Sequence, residues 1–180
     1  EVLESGFGIV PTSSTTIQLS IGDALAIALM EKKKFGKLDF KKFHPSGNLG
    51  KKLKTAGDLM LTKKRIPFIN ENQNMRNAIK IINLKRLGFL VVTNNKGLTT
   101  GIFTDGDLKR LMQKKRKIEN LKIKFFMTKN PFKVDENVLA SEVLSLMNKK
   151  RITNMCVYKK DNKRKTIGVL HIHNLIKNLS

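Results

Sequence analysis

Apolar and polar positions follow a pattern along this chain that occurs twice. In "MRNAIKIINLKR", Met75, Ala78, Ile79 and Ile82 recur at helical spacing and predict a helix with one apolar face. Val143, Leu144 and Met147 do the same in "ASEVLSLMNKKR". Each predicted helix follows a short extended segment, near Pro67–Ile69 and near Phe132–Val134, and an Asn-rich or acidic turn suited to capping it. Next comes an apolar run of strand length, "FLVV" or "MCVY", and then a polar turn, "NNKG" or "KKDNKRK". A second strand, "TTGIF" or "TIGVL", runs into a last helix. The N-terminal stretch reads differently. Pro11–Thr16 is a Ser/Thr-rich turn, after which Ile17, Leu19, Ile21, Leu25, Ala28 and Leu29 predict a helix with an apolar face, interrupted near its start by Gly22 and Asp23.

The two halves of the pattern align at a constant offset of 65 residues, "INENQNMRNAIK" from Ile69 over "VDENVLASEVLS" from Val134. After a loop two residues longer in the second copy, "GIFTDGDL" lies over "GVLHIHNL". Upstream, "LMLTKKRIPF" and "FMTKNPF" correspond loosely. A β-α-β-β-α unit of about 60 residues buries little surface alone. Two such units are therefore predicted to pack sheet to sheet about a pseudo-twofold axis, leaving two equivalent clefts where strand ends meet helix starts.

Composition narrows the function. An apolar share of 40% supports a packed core. No run approaches the ~18 consecutive apolar residues of a membrane span, and no charged-then-apolar leader opens the chain, which reads as cytoplasmic without membrane partners. Cys156 is the single cysteine, so no internal disulfide forms, and its place in "NMCVY" reads as a buried strand position. The net charge of +22 suggests nucleic acid at first sight. The basic clusters, however, punctuate most predicted helix ends and loops, lysine outnumbers arginine 29 to 7, and no aromatic interleaves with them as a base-stacking platform requires. Specific nucleic-acid binding is not expected, while attraction of small phosphorylated anions is.

Candidate chemistry sits at the strand-to-helix junctions. Thr104 lies where a strand opens into a helix, so its hydroxyl and the free helix N–H groups are placed to hold an anion, with Asp107 reaching back to accept a diol. The competing reading is that the two only cap the helix. In the second copy His171 takes the hydroxyl's place and Asn174 keeps the position of Asp107. As alternate strand residues, His171 and His173 would share a face suited to metal, but no third ligand can be assigned and no metal site is predicted.

The repeat ending in G-h-h-[ST]-x-x-[DN]-h resembles the CBS domain, and two in tandem resemble a CBS pair. That resemblance implies that Thr104 meets a ligand phosphate and Asp107 ribose hydroxyls, with His171 and Asn174 as their counterparts. Ahead of it, "VPTSSTT…GDALA…HPSGNLGKKL" resembles the end of the sugar isomerase (SIS) domain of D-arabinose 5-phosphate isomerases, which carry a CBS pair after it. The implied fold class is α/β (α+β), with residues 1–54 the helical C-terminal remnant of the isomerase domain, 55–117 the first CBS domain and 118–180 the second. The implied reaction interconverts D-ribulose 5-phosphate and D-arabinose 5-phosphate for Kdo and lipopolysaccharide synthesis, through an enediol. The family's catalytic histidine maps to His44, in "HPSG" where the family usually has "HPGG". Its glutamate upstream of the loop aligns with Leu3, beside Glu4, and Ser13, Ser14, Thr15 and Thr16 line the substrate phosphate loop. The glycine- and serine-bearing phosphate loops, catalytic lysine and other glutamate of a complete SIS domain are missing, so these residues alone are predicted to be inactive. No cofactor is required, and the regulatory ligand is expected to be an adenine nucleotide or a nucleotide-sugar such as CMP-Kdo. A dimer through the CBS pair and a tetramer of the full enzyme are also implied. A stand-alone nucleotide sensor is the alternative, and the "PTSSTT…HPSGNLG" pair separates the two.

Overall fold

The computed structural model describes residues 3–6, 8–43, 50, 52–115 and 117–179. The chain divides into two units, Glu1–Pro45 and Ser46–Ser180.

In the first unit helix α1 spans Ser13–Lys32 and α2 spans Lys37–Phe43. Phe35, in the turn between them, packs its ring against Phe40 and Phe43 with centroids 6.2 and 5.9 Å away. Two expectations are corrected here. Ser13, Ser14, Thr15 and Thr16 form the first turn of α1 instead of a free loop, and the Thr15 and Thr16 hydroxyls donate back to the Thr12 carbonyl at 2.8 and 3.1 Å. The apolar residues of α1 do not form one face either. At about 100° per residue Leu19 and Ile27 fall well away from the side shared by Ile17, Ile21 and Leu25. The helix runs unbroken through Gly22 and Asp23, a mid-helix glycine costing only about 1 kcal/mol. No residue of α1 is buried, and Leu19 is 69% exposed. A helix apolar on all sides ordinarily lies inside a core.

The second unit passes twice through the same plan. The first pass comprises α3 (Ala56–Leu59), β1 (Leu61–Thr62), a 3₁₀ turn (Lys63–Arg65), β2 (Phe68–Asn70), α4 (Met75–Lys85), β3 (Phe89–Thr93), β4 (Thr99–Thr104) and α5 (Asp105–Lys114). The second comprises a 3₁₀ turn (Ile123–Phe125), β5 (Thr128–Lys129), β6 (Lys133–Asp135), α6 (Ala140–Lys150), β7 (Asn154–Tyr158), β8 (Gly168–His171) and α7 (Ile172–Leu179). The repeat extends to the backbone. Arg86 and Arg151 close α4 and α6 in the left-handed region at φ of 52° and 54°. Lys63 and Asn130, just past β1 and β5, do the same at 53° and 54°.

Among the described residues two four-stranded sheets result, ordered β2-β3-β4-β5 and β1-β8-β7-β6. Each central hairpin takes a parallel neighbour from its own pass and an antiparallel edge strand from the other. Thus Leu61 of the first pass pairs with Val169, and Thr128 of the second pairs with Ile102. The linkers cross over in matching fashion. The Ala140 N–H donates to the Lys54 carbonyl and the Met75 N–H to the Leu121 carbonyl, both at 2.8 Å. Neither sheet is therefore built from one contiguous stretch of chain.

Strand alternation sorts the side chains into three cores. Leu90 and Val92 of β3 face α4 with Met75, Ala78 and Ile82, joined by Ile118 and Ile123 from the second pass. Met155 and Val157 of β7 face α6 with Val143 and Met147, joined by Ala56 from the first. The opposite faces meet each other, Phe89 and Val91 packing with Cys156 and Val169. Cys156 is 1% exposed, and burial pushes its thiol up to about 11, which keeps it protonated and inert. The pseudo-twofold axis passes close to Thr99 and Thr166, equivalent residues whose hydroxyls share a hydrogen bond of 2.7 Å.

Candidate functional site

At the first strand-to-helix corner Thr104 caps α5. Its Oγ1 accepts from the Asp107 N–H at 3.2 Å, while its own N–H and hydroxyl donate to Asp107 Oδ2 at 2.9 and 2.8 Å. Arg110, one turn on, donates to Asp107 Oδ1 at 2.5 Å. Arg110 is mostly exposed, and such surface pairs contribute ~0–1 kcal/mol. The capping reading of this corner is thus realised in full, and it fixes the direction in which the hydroxyl and the carboxylate are presented. Gly88, at φ of +71°, brings the chain under this helix start, its carbonyl accepting from the Asp105 N–H at 2.9 Å.

The second corner is capped by different chemistry. His171 ends β8 and His173 stands in the first turn of α7, so the two are not alternate residues of one strand as expected. They meet nonetheless, because the His173 N–H donates to His171 Nδ1 at 3.3 Å and the rings stack with centroids 5.1 Å apart. Nδ1 is the acceptor, which places the proton of the neutral ring on Nε2. Burial, then the neighbouring His173, push the His171 imidazolium below its ordinary value. Among the described residues no cluster of three or more potential metal ligands occurs.

Both corners open on one cavity of about 600 Å³, a volume usual for small-molecule sites. Thr104, Asp107, His171 and His173 line it, whereas Asn174 does not. The symmetric expectation of two separate equivalent clefts therefore gives way to one shared chamber, with the Asn130–Pro131 linker forming part of its wall. Sequence reasoning missed Arg151 and Asn154. Asn154 sits opposite His171 in the β7–β8 register, and its Oδ1 is buried without a hydrogen-bond partner. Arg151 reaches the cavity because it is the left-handed residue turning α6 toward β7. The signal available was the dissimilarity of the aligned pairs, Phe89 over Asn154 and Gly88 over Thr153.

In the first unit Glu4 occupies the start of α1. Its carboxylate accepts from the Thr12 N–H at 2.6 Å, the Thr12 hydroxyl at 3.1 Å and the Ser14 N–H at 3.2 Å. Hydrogen bonds from Ser14 and then Thr12 hold it at about 2. An anion thus already sits where the sequence suggested a phosphate cradle, and so acidic a group is a weak proton acceptor near neutral pH. His44 and the rest of "HPSG" lie outside the described residues.

The sequence profile of the CBS domain matches residues 56–114 and again 122–180. Over 171 residues, 94% of this chain, the sequence is 39% identical to the arabinose 5-phosphate isomerase KdsD of Escherichia coli (strain K12), of which the match covers 51%. To the KdsD of Francisella tularensis subsp. tularensis it is 40% identical over 170 residues, again 94% of this chain and 51% of that protein. The chain spans about half the length of these curated relatives. Among solved structures, the CBS-domain containing protein ATU1752 of Agrobacterium tumefaciens superposes with a TM-score of 0.62 at 19% identity, over 70% of this chain and 93% of that one. CBSX2, solved in complex with AMP, gives 0.57 at 20%, over 69% and 94%. At such identities the likeness is one of fold. With its repeat, its exchanged edge strands and its paired motif corners, the chain belongs to the CBS domain family and carries the domain as a tandem pair.

Proposed function

We propose that this chain is the C-terminal part of a cytoplasmic D-arabinose 5-phosphate isomerase acting in Kdo and lipopolysaccharide synthesis, and that its CBS pair binds a nucleotide which regulates the enzyme. The observation that carries the nucleotide reading is the convergence of both motif corners on one cavity of about 600 Å³. Similarity to KdsD through 94% of the chain, first unit included, favours this over a free-standing sensor. On this reading residues 1–54 belong to a sugar isomerase domain, with CBS domains over 55–117 and 118–180. The exposed all-round apolar surface of α1 supports it, since such a helix needs a covering core. His44 is then the base that moves the proton between adjacent carbons. Exposed Met112 on α5 and Ile176 on α7 support self-association through those helices.

Thr104 and Asp107 hold the nucleotide, an adenine nucleotide or a nucleotide-activated sugar. Calorimetric titration of the 180-residue protein with AMP and with CMP-Kdo is expected to give saturable binding to at least one. Thr104→Val together with Asp107→Ala abolishes it, and Thr104→Ser, which keeps the cap, retains it. Folded protein that binds neither ligand overturns the nucleotide reading. The same chain is expected to show no turnover of ribulose 5-phosphate, and full activity would refute its being an incomplete isomerase.

A further inference from the structure

The charged groups lining the cavity cancel. Asp105 and Asp107 on α5 stand against Arg110 on α5 and Arg151 at the end of α6, leaving His171 and His173 as the remaining titratable groups of the wall. With both imidazoles neutral, the chamber has no net charge with which to receive a phosphate dianion, since the chain's surplus of +22 lies outside it. Arg110 is already engaged by Asp107, whereas the Arg151 guanidinium has no hydrogen bond or ion pair among the described residues. Two groups on one side of the cavity are therefore open to a ligand, Arg151 and the stacked histidines, while the Oδ1 of Asn154 beneath them is buried without a partner. We propose that the His171–His173 pair, beside Arg151, is the anion-recognising wall of this cavity and takes up a proton as a phosphorylated ligand binds.

The proton balance follows from the geometry. In the free protein His171 is neutral, its Nδ1 accepting from the His173 N–H and its Nε2 carrying the proton. Burial and the stacked neighbour both oppose a positive charge there. A phosphate oxygen in the cavity reverses that preference, because an opposite charge nearby stabilises the imidazolium. The incoming proton goes to Nδ1, which loses the His173 N–H and turns outward as a donor to the ligand. The 3.3 Å length of that cap makes it a weak bond to give up. Asn154 Oδ1, buried without a partner on the adjoining strand opposite His171, offers the Nε2–H an acceptor once the ring turns. Ligand affinity then rises as pH falls, the sign expected when the complex binds more protons than its parts.

This inference rests on the nucleotide reading for the identity of the ligand but not for the anion seat. Untagged 180-residue protein is titrated calorimetrically with AMP and with sulfate, which stays dianionic throughout, at about pH 6 and about pH 8. The same is done with His171→Gln and His173→Gln, whose melting curves report folding. The protonation of AMP itself is common to all three proteins, so differences between them isolate the imidazoles. Sulfate is expected to bind ~3–6-fold tighter at the lower pH, as follows when the anion holds a single imidazolium about ten times more firmly protonated and the free imidazole titrates below its ordinary value; AMP shows the same excess over its variants, and His171→Gln flattens the dependence. AMP binding whose pH dependence is the same in all three proteins overturns the proposal and leaves the nucleotide reading standing. Proton-linked sulfate binding without AMP binding keeps the anion wall and removes the nucleotide. Binding of neither probe at either pH removes both.

Discussion

Glu4 shows how one side chain settles the character of a helix start. Its carboxylate takes the Thr12 and Ser14 N–H groups that a helix leaves open, and those bonds hold it at about 2. A folded-state value below the ordinary 4.5 means the cap is fully present above about pH 4.5 and is lost as pH falls toward 2. Amide exchange at Thr12 and Ser14 is expected to accelerate across that window, and Glu4→Gln should remove the pH dependence. Unchanged protection at pH 2 would show that the carboxylate is not the cap. Sequence reasoning placed Glu4 beside the family's glutamate position but not on the helix start, because the spacing from Glu4 to Ser14 depends on how the intervening turn folds. The corner residues Thr104 and Asp107 were legible, since a Thr-x-x-Asp at a strand-to-helix junction has few other uses. Arg151 and Asn154 were not, because a left-handed arginine and an orphaned amide oxygen have no signature in a single sequence.

Among the elements, the amphipathic helices and apolar strands followed their periodicity closely, as Met75, Ala78 and Ile82 on α4 and Leu90 and Val92 on β3 show. Helix α1 defeated the same rule by being apolar all round, so the single face read from its sequence does not exist. The edge strands β1 and β5 escaped because two residues carry no period. Their packing explains the glycine that opens each motif. A Cβ at Gly101 would lie 2.6 Å from Met127 Sδ and 2.9 Å from the Thr128 carbonyl oxygen, and one at Gly168 would collide with the Met60 side chain. Gly101→Ala and Gly168→Ala are each expected to destabilise the unit by ~1–3 kcal/mol in denaturant titration. A stability within ~0.5 kcal/mol of wild type for both would show that the edge strands lie less tightly on the hairpins.

For the whole molecule, the duplication was legible and the exchange of strands was not. A reader of the sequence sees two consecutive repeats, whereas each sheet and each helix-facing core draws on both passes. A protein ending at Lys115 loses Ile118 and Ile123 from the first of those cores and β5 from its sheet. It is expected to lack a cooperative melting transition, which the separately expressed remainder, from residue 116 onward, should restore when mixed in. Cooperative melting of the shortened chain alone would mean that the borrowed pieces are dispensable. The exchange also bears on descent. A lone repeat would have a leading strand with no place in its own sheet, and would have to hand it to another molecule. Tandem linkage makes such a partnership permanent, and leaves the two corners free to differ, threonine and aspartate on one side and a pair of histidines on the other.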